Sequence, residues 1–379
     1  MSLLIKNCRV ISPGVDLPEA SLEIRGSKIH AIYEQGASLP KTDQVIDGSG
    51  LIAVPGFIDI HTHGAGGGDA CAASLSELRT MARAKLAEGV TTFLPTTLTL
   101  PQKDLVEIMR NIAAYQANQE FAEVPAVHIE GPFINPKCVG AQNPDFVRLP
   151  NIQEIEELNA LAPVSVISMA CEMEGGTEFI QQARALGFTI SLAHTAATFA
   201  QFQAAKEAGL SHLTHFCNQM TPLHHREIGI VGAGLIDPDI RIELICDKLH
   251  LAPDMIRLVF ATKPLRQLML VTDSIAASHL PDGKFAIGGL PVIVAKGAAR
   301  LESGALAGST LKFNDGLRNV YELTQLPLKD LIATTSFNQA QSLGWSDLGK
   351  LEPGFRANIT LLTPEFGVAK TFVNGQERQ

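Results

Sequence analysis

Apolar residues follow two rhythms along this chain. In the first 55 residues, and again from about Gly349, they form short runs broken by turn residues, which predicts strands. Leu3–Val10, Ala20–Arg25, Lys28–Tyr33 and Gln44–Asp47 are the N-terminal runs, punctuated by Ser12-Pro13-Gly14, Gly26 and Gly48. At the other end, Asn358–Thr363 and Ala369–Val373 are strand-like, Pro353-Gly354 makes a turn, and Asn374-Gly375 is a hairpin signal. Neither end has enough residues for a core alone, so the economical expectation is one small β domain made from both.

Between the ends, apolar runs alternate with stretches of helical period. The runs are Phe57–Ile60, Thr92–Leu94, Ala126–Ile129, Val164–Ala170, Thr189–Ala193, His212–Thr214, Ile240–Ile245 and Leu268–Thr272. Helices are expected at Leu75–Ala87, Gln102–Tyr115, Gly176–Leu186 and Ala197–Glu207. From His61 to Asp273 the chain advances 212 positions in seven strand-to-strand steps, about 30 each, which is the repeat of an α/β (β/α)8 barrel. A doubly wound open sheet is the rival. Its dinucleotide-binding form is disfavoured, because no G-x-G-x-x-G follows an early strand.

Composition narrows the class. Hydrophobic residues make up 46% of the 379, enough for a sizeable core and against a disordered chain. Net charge is −9 with no basic run, so nucleic acid is not an expected partner. No apolar run approaches a membrane span, and the N-terminal apolar stretch is too short for a signal peptide. Six cysteines without CxxC pairs predict reduced thiols in a cytoplasmic protein.

The residues ending the central runs carry the chemistry. Run one ends in His61-Thr62-His63, run three in His128-Ile129-Glu130, run five in His194, run six in His215, run seven in Asp247 with His250 close behind, and run eight in Asp273. Barrel enzymes put their chemistry at the C-terminal ends of strands, so these side chains are expected at one mouth. Period-two spacing places His61 and His63 on one strand face. With a carboxylate and two more histidines they suit one or two divalent ions: zinc, iron, nickel, cobalt or manganese. Such an ion lowers the pKa of water to about 7, and Asp273 is placed to take the proton and return it to a leaving group.

Blander readings hold elsewhere. His30, His212 and His279 read as structural, His128 as a support beside Glu130, and Asp247 as either a helix cap or a site residue. Gly64–Gly68 allows close approach of backbone to a ligand but lacks the Lys-Ser or Lys-Thr of a phosphate loop. Arg226 is an anion candidate by its planar fork, or a surface ion-pair residue.

Pro55-Gly56-Phe57-Ile58-Asp59-Ile60-His61-Thr62-His63-Gly64 resembles the opening strand of the amidohydrolase superfamily, and the two termini resemble its accessory β-sandwich. His128–Phe133, Ser191–Thr195, Thr214–Met220, Ile245–His250, Val271–Ser274 and Leu306–Ser309, in that order, resemble the N-acetylglucosamine-6-phosphate deacetylase family along essentially the whole chain. The resemblance implies a β-sandwich of residues 1–54 and 346–379 and a hydrolase barrel of residues 55–345. It implies removal of acetate from the 2-acetamido group of a 6-phosphorylated hexosamine. It assigns Glu130, His194 and His215 to a principal metal, with His61 and His63 joining Glu130 at a second. Asp273 becomes base and then acid, and His250 polarises the acetyl carbonyl. Arg226 and the backbone around Asn218–Gln219 hold the phosphate, Gln142 faces the sugar, and the protein is a homodimer. Cys217 and Gln219 depart from the family's residues, as does Gln339 in Asn338-Gln339-Ala340. The alternatives are the N-acetylgalactosamine-6-phosphate substrate, a cyclic amidohydrolase, which the absence of a lysine ending run four disfavours, and a non-catalytic sugar-phosphate-binding barrel.

Overall fold

The computed structural model describes residues 2–378. Strands Phe57–Thr62 and Val90–Pro95 pair in parallel, and Val127–Glu130, Val164–Met169, Thr189–Leu192, His212–Leu213, Arg241–Ile245 and Leu268–Val271 form a parallel sheet in sequence order. Hydrogen bonds close both seams between the two groups. Thr97 N donates to His128 O at 2.9 Å, and Asp273 N donates to His61 O at 2.9 Å. The parallel sheet is therefore curled until its last strand returns to its first, unlike an open doubly wound sheet. All eight predicted runs overlap these strands.

Helices lie between the strands, and local chemistry sets their ends. Ser74 caps Leu75–Ala87 by accepting from Glu77 N. Thr198 and Gln201 form a capping box, so the helix expected from Ala197 begins at Phe199. Leu78, Met81 and Leu86 on the first helix, and Leu105, Ile108 and Ile112 on the second, bury their apolar faces in the main core. A second apolar cluster, with Ile58, Ile60, Val166, Ile245 and Met269, is drawn from inward positions of the curled sheet.

The termini form one mixed eight-stranded sheet. Ser2–Ser12 is its hub, antiparallel to Val15–Arg25 and parallel to Gln44–Asp47 and Ile52–Pro55, while the C-terminal strand Ile359–Leu362 pairs with Ile52–Pro55. Its own core includes Ile5, Val10, Leu22, Ile359 and Phe372.

One feature was not expected: the antiparallel strands Gly283–Ile287, Leu290–Ala295 and Ala298–Leu301. Together with Leu98, Ile275 and Ala307, this meander makes a separate small apolar cluster beside the C-terminal ends of the parallel strands.

Candidate metal centre and active site

The side chains ending the parallel strands converge on Glu130. Its Oε1 lies 3.0 Å from His215 Nε2, 3.2 Å from His194 Nε2 and 3.6 Å from His61 Nε2, and its Oε2 lies 3.2 Å from His63 Nε2. Asp273 Oδ1 faces the same group, 3.2 Å from His63 Nε2 and 3.5 Å from His61 Nε2. All six residues are buried. His194, His215 and Asp273 adopt positive φ of 47°, 32° and 48°. A left-handed backbone at three non-glycine residues costs of order 1–3 kcal/mol each, and it lets strand-end residues turn into the mouth.

The hydrogen bonds behind the ring nitrogens set the tautomers. His194 Nδ1 donates to Cys138 O at 2.8 Å, His63 Nδ1 to Thr96 O at 3.1 Å, and His61 Nδ1 to Glu243 Oε2 at 2.9 Å. In the neutral ring each donation leaves Nε2 as the acceptor, and these Nε2 atoms point at Glu130. The Nε2 atoms of His194 and His215 are only 3.2 Å apart, and His61 Nε2 is buried without a hydrogen-bond partner. Lone pairs so directed repel one another and the carboxylate unless protons or a cation stand between them. Glu130, His194 and His215 form one candidate ligand group, and His61, His63 and Asp273 another. Nitrogen with carboxylate donors fits the divalent ions expected from the sequence.

The electrostatics point the same way. Burial alone would lower the pKa of His61 and raise those of the carboxylates. Glu130, Asp273 and Glu243 instead lift His61 to about 9, and His63 is lifted well above its ordinary value by Asp273 and Glu130. In return, His61 and the imidazoles hydrogen-bonded to Glu130 hold it well below the carboxylate range, and His61 and His63 bring Asp273 to about 2. The cluster carries strong demand for positive charge.

Glu130 shares a cavity of about 350 Å³ with His63, Gln142, His194, His215, Asn218, Gln219, His250 and Asp273. Gln142 is fixed at both ends: Nε2 donates to Glu130 Oε2 at 2.7 Å and Oε1 accepts from Thr99 N at 2.7 Å. Asp247 does not cap the next helix. Its Oδ1 accepts from Leu249 N and His250 N, and its Oδ2 accepts from His250 Nδ1 at 2.7 Å, which holds the ring with Nε2 free. These bonds outweigh burial and raise the pKa of His250.

Arg226 is not brought into this cavity. It is exposed, and its guanidinium bonds to His225 Nε2. Another arginine, Arg300 on the unexpected meander, is the Lys or Arg lining the cavity among the described residues. His128 stands behind the cluster, bonded to Ile60 O and Ser168 Oγ at 2.7 Å each, and burial holds its pKa down to about 4. His212 is similarly buried, down to about 3, away from the cluster. Within the Gly64–Gly68 loop, Gly64 and Gly68 pack closely on protein. A Cβ on Gly64 would meet Ala276 N at 2.5 Å, and one on Gly68 would meet Glu77 O at 2.2 Å.

Two buried charged residues near the cluster were not singled out from the sequence. Glu243, within the apolar strand Arg241–Ile245, is fully buried and orients His61. Its signal was an acid on the inward parity of a buried strand. Lys85 sits on the apolar face of its helix, fully buried, with only its spacing from Leu78, Met81 and Leu86 as a signal.

A curled parallel sheet with buried histidines and carboxylates at the strand C-termini defines a metal-dependent hydrolase of the amidohydrolase kind, and residues 52–378 match the amidohydrolase family. The chain is 33% identical to the N-acetylglucosamine-6-phosphate deacetylase of Bacillus subtilis, covering 99% of this chain and 96% of that one. It is 34% identical to the N-acetylgalactosamine-6-phosphate deacetylase of Escherichia coli O157:H7, covering 99% of both. A mutant N-acetyl-D-glucosamine-6-phosphate deacetylase from Mycobacterium smegmatis, solved in complex with N-acetyl-D-glucosamine-6-phosphate, superposes with a TM-score of 0.92 at 29% identity, over 100% of this chain and 98% of that one. The chain belongs to the amidohydrolase family, in its N-acetylglucosamine-6-phosphate deacetylase branch.

Proposed function

We propose that the protein hydrolyses the 2-acetamido group of N-acetylglucosamine 6-phosphate to glucosamine 6-phosphate and acetate. The observation that carries this reading is the Glu130 cluster, four imidazole nitrogens around one buried carboxylate with Asp273 in contact with two of them, beside a cavity of about 350 Å³. Glu130, His194 and His215 would hold the principal ion, and His61 and His63 would share Glu130 with a second, zinc being the first candidate. A divalent ion bound there supplies Lewis acidity toward the acetyl carbonyl and lowers the pKa of water to about 7.

This chain's own residues do the rest. Asp273, held ionised by its imidazole neighbours, accepts a proton from the attacking water. It returns that proton to the sugar nitrogen as the C–N bond breaks, so acetate and a free amine leave. His250 presents Nε2 to the acetyl oxygen, its other nitrogen fixed by Asp247. Gln142 borders the sugar, and Asn218 and Gln219 border the phosphate, which Arg226 joins only if a neighbouring subunit brings it to the cavity. A homodimer with sites near the interface is the arrangement that would do so. We further read the curled sheet as a closed (β/α)8 barrel of residues 55–345 and the terminal sheet, residues 1–54 and 346–379, as a β-sandwich. A cytoplasmic location accords with six free cysteines and with no described helix long and apolar enough to cross a membrane.

The galactosamine epimer is the second reading, favoured by the 34% identity to the Escherichia coli O157:H7 enzyme. Acetate release from both sugar phosphates, with and without chelator and beside metal analysis, tests the proposal. We expect release on the glucosamine substrate, lost on chelation, with the larger kcat/KM there. Greater kcat/KM on the galactosamine substrate would transfer the assignment, and no release from either with any divalent ion would remove it.

A further inference from the structure

A charged network behind the active site has no part in the chemistry above. Lys85 projects from the first helix into the protein, and its Nζ lies 2.8 Å from Asp59 Oδ2, 3.0 Å from Glu88 Oε1, 3.2 Å from Thr272 Oγ1 and 3.5 Å from Ser274 Oγ. Lys85, Asp59 and Glu88 are all fully buried. Burying such charges is costly, and well-packed apolar groups of similar volume often serve stability as well or better. Stability alone therefore explains the cluster poorly, and its connections are more telling.

Those connections lead to the two residues flanking Asp273. Thr272 Oγ1 donates to Asp59 Oδ2 at 2.6 Å, and Thr272 N donates to Asp59 Oδ1 at 3.2 Å. Ser274 Oγ donates to Gly64 O at 2.8 Å and lies 3.0 Å from Thr62 Oγ1, which ties it to the segment carrying His61 and His63. Between these anchors Asp273 is held at φ 48°, a left-handed conformation that an aspartate keeps only when its surroundings over-determine it. Its main chain is pinned as well, N to His61 O at 2.9 Å and O from Ser309 N at 2.8 Å. A carboxylate that must alternately take and give a proton loses rate steeply with misplacement of about 1 Å.

We propose that Lys85 is a positioning residue for Asp273, acting through the Thr272 and Ser274 hydroxyls to hold the carboxylate in register with His61 and His63. The inference rests on Asp273 being the proton-transfer group. Lys85 itself touches neither substrate nor metal ligands, so its removal should affect turnover and leave binding alone.

The test compares Lys85→Met, Ser274→Ala and the double variant as metal-loaded, folded full-length protein, with metal per chain and the melting temperature measured on each. On N-acetylglucosamine 6-phosphate, each single variant is expected to lower kcat fivefold or more, with KM within twofold and the ion on Glu130, His194 and His215 retained. Because both act along one path, the double variant should be no slower than the worse single one within a factor of two. A merely structural role would lower the melting temperature and the folded fraction while kcat per metal-loaded chain fell less than fivefold, and that result overturns the proposal. Equally fatal is a double variant whose loss is the product of the singles. Should Lys85→Met not fold, Lys85→Gln, which keeps a polar group beside Asp59 and Thr272, decides by the same fivefold threshold. Wild-type protein without acetate release would instead remove the functional reading on which the inference stands.

Discussion

At the scale of single residues, the side chains that act are distinguished from those that aim them by what their second polar atom does. His61 offers Nε2 to Glu130 because Nδ1 is occupied by Glu243. Partners that orient a ligating imidazole typically account for 10–100-fold in metal affinity when changed. Glu243→Gln is therefore expected to weaken binding at the His61–His63 pair by about 10–100-fold, while the ion on Glu130, His194 and His215 is retained. Stepwise titration of the metal-free protein with zinc checks this, and two unaltered binding steps would refute it. The candidate ligands themselves were legible because His and Glu ended apolar runs in register with a repeat. Glu243, Thr96 and Cys138 were not, since a helper contributes a backbone oxygen or an inward acid and leaves no positional mark. Arg226 shows the converse: a suitable side chain at a suitable distance along the chain stands exposed outside the cavity.

Among the secondary-structure elements, the buried parallel strands could be read because strands covered on both faces are continuous apolar runs. The meander Gly283–Leu301 could not be read the same way. Its middle strand alternates exposed and buried positions (Pro291, Ile293 and Ala295 out, Val292 and Val294 in), yet every one of those residues is apolar, so composition hid the period of two. The glycine loop after the first strand was legible as a close approach, and two of its glycines are pressed against protein backbone. Gly68 lies against the backbone of the first helix, where an added Cβ would stand 2.2 Å from Glu77 O and 2.7 Å from Met81 N. Neither atom can yield without moving the helix. Gly68→Ala is expected to destabilise the fold by about 1–3 kcal/mol, the usual cost of overpacking, with KM of the folded fraction unchanged. Urea unfolding gives the first quantity and steady-state kinetics the second. A variant as stable as the parent would show that the loop shifts freely.

Taken over the whole molecule, the candidate metal centre is also a pH-dependent part of the fold. Without an ion, the folded state raises the pKa of His61 to about 9 and that of His63 well above its ordinary value. Groups so raised contribute stability that is fully present below about pH 6.5, the unfolded value, and lost as pH climbs through the folded one. Glu130 and Asp273 are lowered, so their contribution is present above the ordinary carboxylate range and lost as pH falls toward the folded values, about 2 for Asp273. The metal-free protein should thus gain most from this cluster between about pH 4.5 and 6.5 and lose ground from there toward pH 9. A bound ion does the opposite, because ligands must shed protons to hold it and affinity rises with pH. It also binds the folded chain preferentially, adding about 2.7 kcal/mol at a hundred times its Kd. Melting curves with saturating zinc and with chelator should therefore separate progressively from pH 6 to pH 9. If the chelated protein instead melted higher at pH 9 than at pH 6, the imidazoles would not be the proton store that the Glu130 cluster implies, and a cation at that centre would lose its main electrostatic support.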